Sequence, residues 1–325
     1  MGNKLARNHH FLPQFYLAGF TNQGSKNNQL WALDHQTGRQ WEAKPRNVAF
    51  KKDFYNIDLP ANETDDFEKA LAEIENLAAP VIKRVLETKQ IPADQDYEIF
   101  ICFVALLACR VPARREVFDG MMKEVVSIWS QLLFQTPERY EAYIKEVQEN
   151  TKGEKRVTSY EDMKAFVDDE SRYKINFSNN TYLQNMITQL DVLIPLLLKR
   201  NWTLLFADTR NSYFVCSDSP LNLHWTPEGK GIWGPGFGVS NTEVTLPLSK
   251  DIMLLGRFEE VMPAQYISRE DTALMNSFTI DDSEKYVYSK DNNFIWRNPS
   301  GLIADKKDLI EFFRLLKQEE EREKS

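Results

Sequence analysis

Cysteine is scarce in this 325-residue chain: Cys102, Cys109 and Cys216 form no CxxC pair and leave an odd total. That excludes a disulfide framework and a zinc ribbon and suits a reducing compartment, so a cytoplasmic protein is expected. Long apolar runs are missing too. The longest, Ile99 to Cys109, covers 11 residues against the roughly 20 that a bilayer crossing needs, and reads as a buried helix. The opening MGNKLARNHHFLPQF has no continuous apolar stretch of the signal-peptide kind, so neither secretion nor membrane insertion is expected. With 13 glycines and no internal repeat, the chain is neither a linker-rich array nor a solenoid.

Common catalytic signatures are absent. There is no Walker lysine loop, HExxH or EF-hand pattern, and Ser217 and Ser219 lack the GxSxG elbow of a serine hydrolase. Residues 229–234, GKGIWG, formally satisfy GxGxxG, but no strand leads into them and Pro235-Gly236 follows where a helix should open. The segment reads as a flexible loop, a lid with Trp233 and Phe237 as stacking surfaces.

What is present is a globular composition, 42% hydrophobic and 12% aromatic, with 40 basic against 48 acidic side chains. A chain of this size buries roughly three quarters of its unfolded surface, enough for a substantial core. Charge is uneven. Residues 1–60 carry 8 basic and 4 acidic side chains, a balance of +4, and the remainder sums to −12. Three of the four histidines, His9, His10 and His35, lie in that basic opening. This falls short of a strong nucleic-acid signature, yet it leaves an anionic ligand open.

Apolar alternation over residues 29–58, around a His-Gln-Thr-Gly turn, predicts a β-hairpin leading into an extended segment that ends at Tyr55. From Thr64, first-turn acids precede Phe67, Leu71, Ile74, Ala78, Val81 and Val85 at helical spacing. Further helices are expected at 99–109, from Thr136-Pro137, from a Ser159/Asp162 capping box, and over Thr181 to Arg200. WTLLFAD and SYFVCSD, flanking a Thr-Arg-Asn turn, then EVTLPLS, DIMLLGR and KYVYS predict a mainly antiparallel sheet. Helices are placed near Ser268–Phe278 and Asp305–Lys317. The fold class is α+β, a single domain over 1–317: a β segment (1–60), a helical layer (61–200) and a sheet with helices (201–317), followed by a charged tail (318–325). The opening strands are expected to return to the late sheet, although a helical insertion between two β pieces would read identically.

His9-His10 is the most unusual local run. In an extended segment the two rings point to opposite faces, and a neutral imidazole serves as acid, base or ligand. Glu68 and Glu75, seven apart, share one flank of their helix. Either could join a histidine in an acid/base or metal pair, or be a solvated charge. Arg110 follows an all-apolar stretch and needs an anionic partner. That partner is a carboxylate such as Glu75 or, alternatively, a substrate phosphate. Asp218, where an apolar strand stops, is either a site carboxylate or part of a turn ahead of Pro220.

The opening run, with Arg46-Asn-Val-Ala-Phe-Lys-Lys-Asp-Phe-Tyr55, resembles a bacterial group catalogued as domain of unknown function 4238. Pro13, Gln14, Tyr16, Leu17, Phe54 and Tyr55 match its opening pattern. FEKALAEIE at 67–75, Arg110-Val111-Pro112, Ser217-Asp218-Ser219-Pro220 and Leu246-Pro247-Leu248-Ser249 match its later ones. The resemblance covers nearly the whole chain and implies a shared fold and a recurring polar set, with no assigned activity.

Two functional classes follow. The first is a hydrolase or phosphodiesterase, nuclease-like, acting on an anionic small molecule or nucleic acid. It has His9, His10, Glu75 and Asp218 as catalytic groups and Arg110, Gln14, Tyr16 and Ser217 on the substrate, with a divalent metal left open. The second is a non-catalytic binding or sensing module built from the same residues.

Overall fold

In the computed structural model, which describes residues 7–58, 63–150, 158–208 and 212–323, the chain is mixed α+β. It opens with β1 (Asn8–His10), α1 (Gln14–Ala18), β2 (Leu30–Asp34), β3 (Arg39–Ala43), β4 (Phe50–Lys52), β5 (Ile57–Asp58) and β6 (Glu63–Thr64). Helices follow: α2 (Asp66–Thr88), α3 (Asp94–Cys109), α4 (Pro112–Leu133), α5 (Pro137–Asn150), α6 (Tyr160–Val167) and α7 (Asn179–Leu198). The last third holds β7 (Asn201–Ala207), β8 (Cys216–Ser217), β9 (Asn222–Trp225), β10 (Thr242–Pro247), β11 (Ile252–Arg257) and β12 (Gln265–Ile267). It ends with α8 (Arg269–Asp281), β13 (Tyr286–Ser289), β14 (Trp296–Arg297), β15 (Ile303–Ala304) and α9 (Lys306–Glu323). Cα packing gives two compact units, Met1–Ala113 with Leu183–Ser325, and Arg114–Tyr182.

The expected hairpin is β2–β3, registered from Leu30↔Ala43 to Asp34↔Arg39. Its turn is built by side-chain chemistry. The Asp34 carboxylate accepts the Gln36 and Thr37 amides at 3.1 Å each, and Gly38 takes φ 72°, which costs a glycine nothing. β13 pairs antiparallel with β2, Tyr286 opposite Asp34, so the opening segment does return to the late sheet, in the order β3-β2-β13-β8. Trp31, Leu33, Val215, Val287, Phe294 and Trp296 form a core around it, with Leu309 of α9.

The second sheet runs β12-β7-β11-β10-β9 and is antiparallel except for β12 beside β7. Gly256 of β11 lies under the Trp202 indole, where a Cβ would meet the ring at 2.4 Å. WTLLFAD and SYFVCSD, expected in one mainly antiparallel sheet, fall in two: β7 lies in this sheet and β8 in the four-stranded one. Only Cys216–Ser217 of the second run is strand, because the Phe214 amide bonds the Lys250 carbonyl and the Val215 amide the Asn276 side chain. The Thr-Arg-Asn turn at 209–211 lies outside the described residues.

α3 is buried on all sides from Phe103 to Cys109, as its unbroken apolar run requires. Each fully buried apolar side chain there contributes about 1.5–3 kcal/mol. α2, with Asp65 at its N-cap, turns Leu71, Ala78, Val81, Ile82 and Val85 inward. In the 114–182 unit, Ser159 caps α6 by accepting the Asp162 amide, and Phe134, Tyr140 and Tyr160 form an aromatic knot. α4 leaves Val117, Met121, Val125, Ile128 and Leu132 exposed. α9 continues to Glu323, past the expected end at Lys317. No helix among the described residues is long and apolar enough to cross a membrane.

Burial pushes the thiols of Cys102 and Cys216 above their ordinary range. Both are therefore expected to react with a disulfide reagent at pH 8 at least about tenfold more slowly than free cysteine, with denaturant restoring the rate. Stopped-flow thiol titration checks this.

Candidate polar site at the β1–β4 ribbon

β1 and β4 form a two-stranded antiparallel ribbon with His9 opposite Lys51 and His10 opposite Phe50. Alternation along β1 buries His9 completely and leaves His10 half-buried. β4 is bracketed by two residues in the left-handed region, Ala49 at φ 53° and Asp53 at φ 54°. For a residue with a Cβ this costs about 1–2 kcal/mol, least for Asp, so Ala49 marks a strained position of the kind that clusters at functional sites. The strain is held from outside: the Phe11 amide bonds the Ala49 carbonyl at 3.0 Å, and the Asp53 amide bonds the Arg7 carbonyl at 2.8 Å.

The tautomers follow from the partners. The Tyr55 amide donates to His9 Nδ1 at 2.7 Å, so a neutral His9 carries its proton on Nε2. Its ring stacks on Tyr55 at 5.7 Å. His10 Nε2 lies 3.3 Å from the Arg46 carbonyl; a carbonyl only accepts, so Nε2 holds the proton and Nδ1 the lone pair. Burial lowers the His10 pKa below its ordinary 6.5, against the opposing Arg46 carbonyl and Glu75. His10 is therefore neutral at pH 7.

Arg110 caps the C-terminus of α3 and is 1% exposed. Its Nη1 donates to Glu75 Oε1 at 2.7 Å and its Nη2 to the His10 carbonyl at 2.5 Å. The Tyr55 hydroxyl returns a bond to the Arg110 carbonyl at 2.9 Å. Of the two partners open to Arg110, the protein's own carboxylate is the one in place. Glu68, one flank along α2, has Oε2 buried without a hydrogen-bond partner. Burial raises its pKa above the ordinary 4.5; Glu75 adds to this, while His9 and Arg110 oppose it. Arg46, Lys51 and Lys52 stand exposed on and beside the ribbon.

The structure thus brings His9, His10, Glu75 and Arg110 together, with Gln14 half-buried at the start of α1. Tyr16, Ser217 and Asp218 belong to another network. The Tyr16 hydroxyl donates to the Pro247 carbonyl at 2.6 Å, and Ser217 Oγ accepts the Ser219 amide at 3.2 Å. The Asp218 carboxylate accepts the amides of Glu284, Lys285 and Tyr286, each at 3.0 Å, fixing the entry into β13. Burial pushes its pKa up to about 7, against those amide bonds.

Glu68 and Tyr55 carry more of the site than sequence reasoning assigned them. The seven-residue spacing to Glu75 was the available signal for Glu68; for Tyr55 it was the match at Phe54-Tyr55. A row across β9, β10 and β11 was also missed. Glu243, 3% exposed, binds Arg257 and lies 3.8 Å from His224, whose ring stacks on Phe278. No group of three or more His, Cys, Asp or Glu side chains among the described residues is arranged to hold a metal ion. GKGIWG lies in the connection between paired strands β9 and β10, with Ile232 and Trp233 98% and 85% exposed. A strand-to-helix phosphate turn is absent there.

No curated protein and no solved structure matches the chain. One family model does: that described as Protein of unknown function (DUF4238) matches residues 8–293. The match takes in the ribbon, α2, Arg110 and the Asp218 network alike, and on this extent the chain belongs to the DUF4238 family.

Proposed function

We propose that the protein is a cytoplasmic hydrolase of a phosphate ester or phosphodiester, working by acid–base catalysis at the β1–β4 ribbon. The observation that carries this is a half-buried neutral His10, its Nδ1 lone pair free to take a proton, and a half-buried Glu68 whose carboxyl holds its proton above the ordinary range, both within electrostatic reach of Arg110 and Glu75. His10 takes a proton from water as that water attacks phosphorus, and Glu68 gives one to the departing oxygen. Arg110, braced by Glu75 and Tyr55, fixes the His10 backbone, while Arg46, Lys51 and Lys52 supply the positive surface that an anionic substrate meets. Cysteines kept as thiols suit the reducing compartment.

His10→Ala and Glu68→Gln are each expected to lower kcat on bis(p-nitrophenyl) phosphate or a short single-stranded oligonucleotide by about 100-fold or more, with the circular dichroism spectrum unchanged. The pH profile should be bell-shaped with a mildly acidic optimum. The base is free above a pKa lowered from 6.5, and the acid stays protonated below a pKa raised from 4.5. Turnover that survives both substitutions rejects the proposal. The reading as a binding module draws on the Arg110 guanidinium, which is committed to Glu75 and the His10 carbonyl instead of facing a phosphate. It expects thermal stabilisation by ligand without turnover.

A further inference from the structure

We infer that a second site, the cleft between α2, the turn after α1 and the edge of the five-stranded sheet, binds a nucleoside phosphate. The cleft encloses about 1690 Å³, above the 300–1,000 Å³ typical of small-molecule pockets. It is independent of the ribbon chemistry.

Lys89 carries the inference. It stands at the C-cap of α2 with φ 57° and its amide on the Val85 carbonyl, the position that glycine occupies most favourably because a Cβ is penalised there. A lysine in that conformation puts an ammonium into the cleft. Its Nζ lies 3.0 Å from the Tyr266 hydroxyl and 5.2 and 5.3 Å from the Phe206 and Tyr266 ring centres. The backbone strain and the cation–aromatic cluster are separate observations, and both point to the same spot.

The ligand class follows from what surrounds it. Lys26, Lys83 and Lys250 also line the cleft, against Asp208 and Asp251, so the lining is cationic. Lys250 is held by Asp251 at 2.7 Å and Lys83 lies 3.7 Å from Glu87; Lys89, the lysine set beside both aromatic rings, is the anchor for a phosphate. Tyr266 is 66% exposed on the edge strand β12, 5.3 Å from Phe206. An exposed aromatic face beside an ammonium suits a planar base joined to an anionic group, since bases stack on aromatic rings with little sequence preference.

Titration calorimetry of the full chain with ATP and UTP, beside adenosine and inorganic triphosphate, tests the site. Nucleotide binding is expected to exceed that of either fragment by about tenfold or more. Tyr266→Ala and Lys89→Gly should each weaken it by about tenfold, while Lys89→Gly keeps or raises the melting temperature. Absence of ATP binding at 1 mM, equal binding by inorganic triphosphate or by adenosine, or an affinity unchanged in both variants overturns the inference.

Discussion

An Arg110→Met variant is expected to lose about 3–5 kcal/mol of unfolding free energy, the typical cost of removing one partner from a buried ion pair. The guanidinium is 1% exposed and joins three chain segments: α2 through Glu75, β1 through the His10 carbonyl and the extended stretch through Tyr55. Methionine fills much of the volume but leaves the carbonyl and carboxylate without a donor. Arg110→Lys should recover little, because a single ammonium cannot reproduce the forked geometry. Glu75, whose side chain is 25% exposed, can take up water when its partner goes. Glu75→Leu combined with Arg110→Met should therefore cost less than the two single losses added together. Urea midpoints at constant m measure all of these. Single variants within about 0.5 kcal/mol of the wild type would show that the pair has no structural weight.

Asp218→Asn should cost about 2–4 kcal/mol. Three amides converge on the carboxylate, and an asparagine presents one oxygen and an NH₂ group, so at least one buried N–H loses its acceptor. The same residue sets a pH dependence. Its folded pKa of about 7 lies above the ordinary 3.8, so the folded state binds more protons than the unfolded one between those values. Stability therefore falls as pH rises from about 4 to about 7, and the Asn variant should lack that component of the slope. Urea unfolding at several pH values compares the two; parallel profiles would assign the slope to other groups.

The parts of the fold legible in the sequence are those in which a local pattern meets a local constraint. Ile99 to Cys109 is apolar on every side, and only a surrounded helix accommodates that. The 35–38 turn carries its own hydrogen-bonding acid in Asp34, and Ser159 its own capping amide. Arg110 was readable because a cation at the end of an apolar helix demands an anion. What escaped depends on distant partners. Tyr213 to Val215 has strand composition, but its amides bond Lys250 and Asn276 instead of a neighbouring strand. The apolar stripe of α4 has the spacing of a core face and lies exposed. Asp218 looked like a site residue because its three donors come from residues 284–286, which no local pattern connects to it. Lys89 gave no sign at all, since a left-handed lysine leaves no trace in periodicity.

The pairing of β2 with β13 orders events during synthesis. Leu30–Asp34 emerges well before its partner, and the edge it offers to Tyr286–Ser289 stays unpaired until the chain between Asp34 and Tyr286 has been made. At about 5–20 residues per second that interval is on the order of tens of seconds. A hairpin with one unsatisfied edge and an apolar face is a template for the wrong neighbour throughout it. The first sheet is thus completed late, by a long loop closure that is slow in its own right, and until then that edge is exposed to pairing with other chains.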